Sequence, residues 1–159
     1  MDYTIKVDIT SQQLILSQAD TIVKSYRVST AKNGPGEIFG SECTPRGRHM
    51  IRAKIGENAA LNTVFVGRRA TGEQYNADLQ ARFPKRDWIL TRLLWLSGLE
   101  PGLNRLGNVD TMRRYIYIHG CPDKDPMGIP SSHGCIKMRN LDVIELFDQV
   151  PVNTSVFIK

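Results

Sequence analysis

Hydrophobic and polar positions alternate with period two at the start of the chain. In "TIKVDI", Ile5, Val7 and Ile9 alternate with Lys6 and Asp8, the pattern of a strand buried on one face. A polar break at Ser11-Gln12 precedes "QLILS", and Ala19-Asp20 makes a turn before "TIVKSYRVS". Placing Ile22, Tyr26 and Val28 on one face completes a β-meander. Residues 31–47 carry four Gly and two Pro and read as loop. "RHMIRAKIG" and "TVFVGR" predict further strands. Residues 73–86 are polar and fit no single period. "WILTRLLWL", 88–96, is an apolar run that suits helix or strand equally.

"GLEPGLNRLGN" is loop, and "RYIYIHG" is a β-branched and aromatic strand that delivers His119 to its end. A Pro/Gly loop over 121–130 follows. Asn140 is placed to cap a helix whose stripe is Leu141, Ile144, Phe147 and Val150, with Pro151 ending it. "NTSVFIK" closes the chain as a strand. No repeat, linker or low-complexity block interrupts this order. The pattern predicts one mainly β domain with a short helix near its C-terminus.

Composition supports a single core. A chain of 159 residues with 41% hydrophobic positions buries roughly 70% of its unfolded surface without a metal or disulfide. The net charge of +5 fits a soluble surface with a modest basic excess; the sharper reading is a preference for anionic partners, yet no run of like charges or Arg/aromatic motif indicates nucleic acid. No 18 consecutive residues are apolar, so no membrane span is expected. "MDYTIKVDIT" lacks the basic start and apolar core of a signal peptide. The chain as written is therefore expected in the cytoplasm, unless its export signal is absent from this sequence or of another kind. Cys43, Cys121 and Cys135 are an odd count, which argues against a disulfide framework. The Gly-rich loop lacks Gly-Lys-Ser/Thr and is not expected to cradle phosphate.

The tripeptide His-Gly-Cys occurs twice, at His119–Cys121 and His133–Cys135. Two His and two Cys are a possible zinc set, but ligands two residues apart do not match structural zinc spacing. A cysteine nucleophile is the alternative. Its thiol needs a base within reach or a positive environment, because free cysteine is mostly neutral at pH 7. Ser131 or Ser132 can cap a helical turn containing Cys135, whose free N–H groups and dipole favour the thiolate and an oxyanion. Gly134 leaves room for a substrate, and His119 is the candidate base.

"IYIHG" followed by a loop and "SHGCIKM" resembles the L,D-transpeptidase catalytic domain, or YkuD domain. "IKVDITSQQLIL", "VSTAKNGPGE", "TPRGRHMI" and "TRLLWLSGLEPGLN" extend the similarity over most of the chain. The resemblance implies one domain over 1–159, with a β-sandwich-like fold, a short helix after the cysteine motif and a C-terminal strand. It implies Cys135 as nucleophile and His119 as general base and later acid. It further implies a Gly120 carbonyl that orients His119 and an oxyanion held by the Gly134 and Cys135 N–H groups. Ser132, His133 and Lys137 would contact substrate. The implied reaction is acyl transfer on peptidoglycan stem peptides. Cys135 attacks the L,D bond before a terminal D-Ala, a thioester forms, and an amine of a second stem makes a 3→3 cross-link. No cofactor or metal is implied, and the implied location is the cell envelope or periplasm. Nothing in the sequence signals an oligomeric state.

Two positions depart from the family pattern. Cys121 follows His119-Gly120 where another residue is usual, and it is a candidate for an inhibitory disulfide with Cys135. Lys137 replaces Arg and loses the bidentate fork. Cys43 is expected as a free structural thiol and His49 on a strand face. Tyr115 and Tyr117 are expected as wall or core. The rivals are an L,D-carboxypeptidase or cross-link hydrolase on the same site, a non-catalytic wall-binding module, and a metalloprotein.

Overall fold

The structure is a computed structural model that describes residues 2–159. A meander of β1 (Tyr3–Asp8), β2 (Gln13–Gln18) and β3 (Thr21–Ser29) opens the chain. It continues through β4 (Gly47–Ile55), β5 (Thr63–Val66), β6 (Arg69–Gln74), α1 (Ala77–Arg82) and β7 (Ile89–Gly98). The last third holds β8 (Tyr117–Gly120), β9 (Ile136–Met138), α2 (Asn140–Gln149) and β10 (Ser155–Ile158). All ten strands join one sheet in the order β4-β10-β1-β2-β3-β9-β8-β7-β5-β6, and β4 also pairs with β7. That extra pairing closes eight strands on themselves, which removes most exposed edges. The β5–β6 hairpin stands outside the closure. β1 and β10 run parallel, as do β8 and β9.

Inward residues of the strands meet in one core. Val7, Leu14, Leu16, Ile51, Leu94, Leu96, Ile118, Ile136 and Met138 are fully buried there. α2 packs on β7 and β8 and adds Val143, Leu146, Phe147 and Val150. Each fully buried aliphatic side chain contributes about 1.5–3 kcal/mol.

Several sequence expectations are corrected. Residues 88–96 lie mostly in β7, between β4 and β8 with both faces covered, so the run shows no period-two alternation. Ile22 is exposed, because a bulge opposite Leu16/Ser17 turns it to the other face from Tyr26 and Val28. Within 73–86 a helical turn forms, capped by Asn76, whose Oδ1 accepts the Leu79 N–H at 2.8 Å. Asn140 is not a cap. It is the first residue of α2, and its side chain is turned into the protein. Leu141 is 72% exposed; the buried stripe runs through Val143, Leu146, Phe147 and Val150. His49 is buried on β4, bonded to the Gly47 carbonyl at 3.0 Å and Thr111 Oγ1 at 2.9 Å.

Candidate active site

Strand parity creates the site. Ile116 and Ile118 face the core, so Tyr117 and His119 face the other way. The parallel β8–β9 register pairs Ile118 with Ile136 and His119 with Lys137, which sets Cys135 level with Tyr117. Cys135 and His119 therefore lie on one face of adjacent strands, diagonal to each other. Both line a cleft of about 520 Å³ with Arg68, Asp87, Arg114, Tyr115, Tyr117, Ser132 and His133.

The His119 Nδ1–H donates to the Gly120 carbonyl at 2.6 Å. That bond fixes the tautomer and leaves Nε2 as the ring's acceptor. The Cys135 sulfur accepts the Tyr117 N–H at 3.3 Å, and its thiol reaches the Tyr115 carbonyl at 3.4 Å. Burial pushes the Cys135 pKa up to about 12; Asp87 adds to the rise, while the Tyr117 N–H, Lys137 and Arg114 oppose it. Burial also holds His119 below the ordinary imidazole range, against the charge of Asp87 and the Gly120 carbonyl. Both shifts favour a thiol beside a neutral imidazole.

The expectation of a helical turn at Cys135 is corrected. Residues 132–135 form a bend that feeds β9, not a helix, and no helix dipole reaches the sulfur. The bend is tied by its own groups. Ser132 Oγ donates to the Cys135 carbonyl at 2.5 Å and accepts the Gly134 N–H at 3.2 Å. Gly134 therefore does not present its N–H to the cleft as an oxyanion donor, and the Ser132 hydroxyl serves the loop. Thr44 Oγ1 donates to the Gly134 carbonyl at 2.8 Å, fastening the 31–47 loop beneath the bend. Gly134 has φ +131°, a conformation that suits glycine.

His133 is exposed on the cleft wall, 4.0 Å from Asp87. Lys137 lies beside His119 in the register but is not among the residues lining the cleft: its ammonium pairs with Asp125 at 3.0 Å, and both groups are largely covered. Arg139 donates to the Asp123 carbonyl at 2.7 Å. The Cys121 thiol faces the Met138 carbonyl at 3.4 Å. The strand register puts Cys121 four residues beyond the level of Cys135, about 13 Å along the strand. That exceeds the span a disulfide bridges, so the proposed Cys121–Cys135 bond is excluded. Cys121 is therefore also too far from Cys135 for the two thiols to share one metal ion. Among the described residues no group of three His, Cys, Asp or Glu could hold a metal. Cys43 is a free thiol in its loop, near the Asn33 and Ser41 carbonyls.

A buried polar network backs His119. Asn140 Nδ2 donates to the Cys121 carbonyl at 2.9 Å, and Thr91 Oγ1 donates to Asn140 Oδ1 at 2.8 Å. Thr91 sits at a β7 bulge with φ +75°, strained for a β-branched residue. A Cβ on Gly120 would strike Asn140 Oδ1 and lie 2.6 Å from the Leu90 carbonyl. Gly120→Ala is therefore expected to cost about 1–3 kcal/mol of stability. It should also displace the carbonyl that holds the His119 tautomer. Denaturant melts and the acylation rate together check this; an unchanged rate would separate the network from the imidazole.

Arg68, Arg114 and Asp87 were not legible as site residues. They arrive from the β5–β6 hairpin, the loop before β8 and the loop before β7, and no motif links them.

The sequence profile described as the L,D-transpeptidase catalytic domain (YkuD) matches residues 2–158. No curated protein sequence matches significantly. Among solved structures, an L,D-transpeptidase from Mycobacterium smegmatis superposes with a TM-score of 0.60 at 17% identity, covering 99% of this chain and 58% of that one. An L,D-transpeptidase from Xylanimonas cellulosilytica gives 0.57 at 17%, covering 99% and 60%. L,D-transpeptidase 3 from Mycobacterium tuberculosis, in complex with a faropenem-derived adduct, gives 0.60 at 14%, covering 99% and 60%. The chain thus spans less than two thirds of the length of these structures, and the likeness to them is one of fold. With the profile match running from end to end over a closed β-sheet that sets Cys135 beside His119, this chain belongs to the L,D-transpeptidase catalytic domain (YkuD) family.

Proposed function

We propose that the domain is a cysteine acyltransferase acting on peptidoglycan stem peptides in the cell envelope. The observation that carries this reading is the pair formed by Cys135 and His119 on adjacent strands of one cleft, with Nδ1 occupied by the Gly120 carbonyl. As the sulfur attacks the carbonyl before a terminal D-Ala, its proton passes to His119 Nε2. The imidazolium then protonates the departing D-Ala amine, leaving a thioester. An acceptor amine attacks the thioester, gives its proton to His119, and the sulfur is released and reprotonated. The product is a 3→3 cross-link. The Tyr117 N–H, already on the sulfur, supports negative charge as it develops. The Cys135 N–H takes the oxyanion role, because the Gly134 N–H is engaged with Ser132.

Water in place of the acceptor amine gives L,D-carboxypeptidase activity on the same thioester. Incubation with tetrapeptide muropeptides followed by mass analysis tests the reading: dimers report transfer, tripeptides alone report hydrolysis, and neither product rejects the acyltransferase. The faropenem-derived adduct of the M. tuberculosis relative suggests a second probe. Faropenem is expected to add mass to the wild-type protein and none to Cys135→Ala. An adduct that survives this substitution places the nucleophile elsewhere.

A further inference from the structure

The cleft carries two guanidinium groups that the acyl-transfer steps above do not use. Arg68 sits at the tip of the β5–β6 hairpin. Gly67 and Arg68 both have positive φ, +56° and +64°. Such a two-residue turn favours Asn-Gly or Gly-Gly, so a long cationic side chain at this place carries a backbone cost. Its guanidinium lies 4.8 Å from the centroids of both Trp95 and Tyr115. It also donates to the Tyr117 hydroxyl at 3.2 Å. Three aromatic residues thus fix its plane, while one of its five N–H donors is used in that bond.

Arg114 reaches the same cleft from the loop before β8. It is half buried, and it donates to the Gly36 and Cys43 carbonyls at 3.3 and 2.7 Å and to Ser41 Oγ at 3.4 Å. These acceptors are neutral. Among the described residues, neither Arg68 nor Arg114 forms an ion pair, whereas Arg46 and Arg86 hold carboxylates at 2.9 Å. Two oriented guanidinium groups that form no ion pair, in the cleft of the nucleophile, match planar anions, and carboxylate is the anion a peptide supplies.

We propose that Arg68, held on the Trp95–Tyr115 shelf, and Arg114 bind carboxylates of the donor peptide, so that a free carboxylate at the peptide's end determines specificity. The proposal rests on the acyl-transfer reading for its substrate. The arginines are specificity-determining residues: they orient the donor, and Cys135 and His119 perform the proton and acyl transfers. Asp87, the carboxylate of the same lining, would repel a donor acid that entered in the reverse sense.

The test compares a tetrapeptide stem ending in a free D-Ala carboxylate with the same peptide ending in a carboxamide. In the wild type, the amide is expected to lose about 10- to 100-fold in kcat/KM, mainly through KM, the range of a charge-assisted hydrogen bond. Arg68→Gln should impose a loss of similar size on the acid and little on the amide, while Arg68→Lys restores part of it. Arg114→Gln should also discriminate against the acid. Equal losses on both peptides, or none, would overturn the proposal. Binding of both peptides to Cys135→Ala, followed by tryptophan fluorescence, gives a readout that needs no turnover. Acid-selective binding without turnover in the wild type would uphold the carboxylate site and reject acyl transfer. Equal binding of acid and amide, or binding of neither, would reject the carboxylate site.

Discussion

Replacing His119 with Asn is expected to slow acylation of Cys135 by about 10²–10⁴-fold, the usual range for a general base. The pH profile should change shape as well. In the wild type, burial keeps His119 neutral below the ordinary imidazole range and lifts Cys135 to about 12. The competent pair, neutral imidazole and thiol, then persists across neutral pH. Its acid limb falls below 6.5, where the depressed imidazole takes a proton. Without the imidazole, attack depends on the small fraction of free thiolate. The rate of His119→Asn should therefore rise about tenfold per pH unit through the range 7–10. Stopped-flow acylation by faropenem measures both profiles. A variant profile as flat as the wild type's would remove His119 from the role of base.

Acid stability is the second large effect. Burial lowers the His49 pKa to about 4, against the Gly47 carbonyl and the charges of Glu100 and Glu37. The unfolded chain takes up this proton near pH 6.5 and the folded chain near pH 4, so stability falls as pH drops through that window. The loss from His49 is about 3 kcal/mol. His119, also depressed by burial, adds a loss of the same sign. The carboxylates with lowered pKa, Glu37 held by Arg46 and Glu145 held by Lys24, lose their contribution at still lower pH. Urea unfolding at pH 7, 6, 5 and 4 should show most of the loss before the carboxylates titrate. His49→Gln should flatten the dependence between pH 6.5 and 4 whatever its stability at pH 7. An unaltered slope would mean that this imidazole is not the titrating group.

The opposite sign holds for the thiols. Cys121 and Cys135 are both raised by burial to about 12, so the folded state keeps protons that unfolded thiols release above about 8.5. Stability should decline again toward alkaline pH. The window of greatest stability is thus set from below by imidazoles and from above by thiols, in the same cleft and core that place the nucleophile.

How far the sequence could be read depended on the range of the interaction. Alternation in "TIKVDI" and "RYIYIHG" is local, and the strands formed at those places. The run at 88–96 resisted assignment because its two neighbours, β4 and β8, come from distant parts of the chain. Leu141 and Asn140 were misassigned for a related reason. The face of α2 that is buried is chosen by β7 and β8, and Asn140 is drawn inward by Thr91 and the Cys121 carbonyl. Ile22 was misplaced by one extra residue in a bulge, which reverses strand parity and has no sequence marker.

The residues themselves determined a mainly β domain with a cysteine, a histidine and a family pattern around them, because period, turn composition and motif spacing are properties of short segments. Only the fold decided that Cys135 is a half-buried side chain in a bend and not on a helix, its pKa raised by desolvation, that Cys121 lies out of its reach, and that Arg68 and Arg114 enter its cleft. Those outcomes depend on desolvation and on the register of β8 against β9, and both arise from segments brought together across the chain.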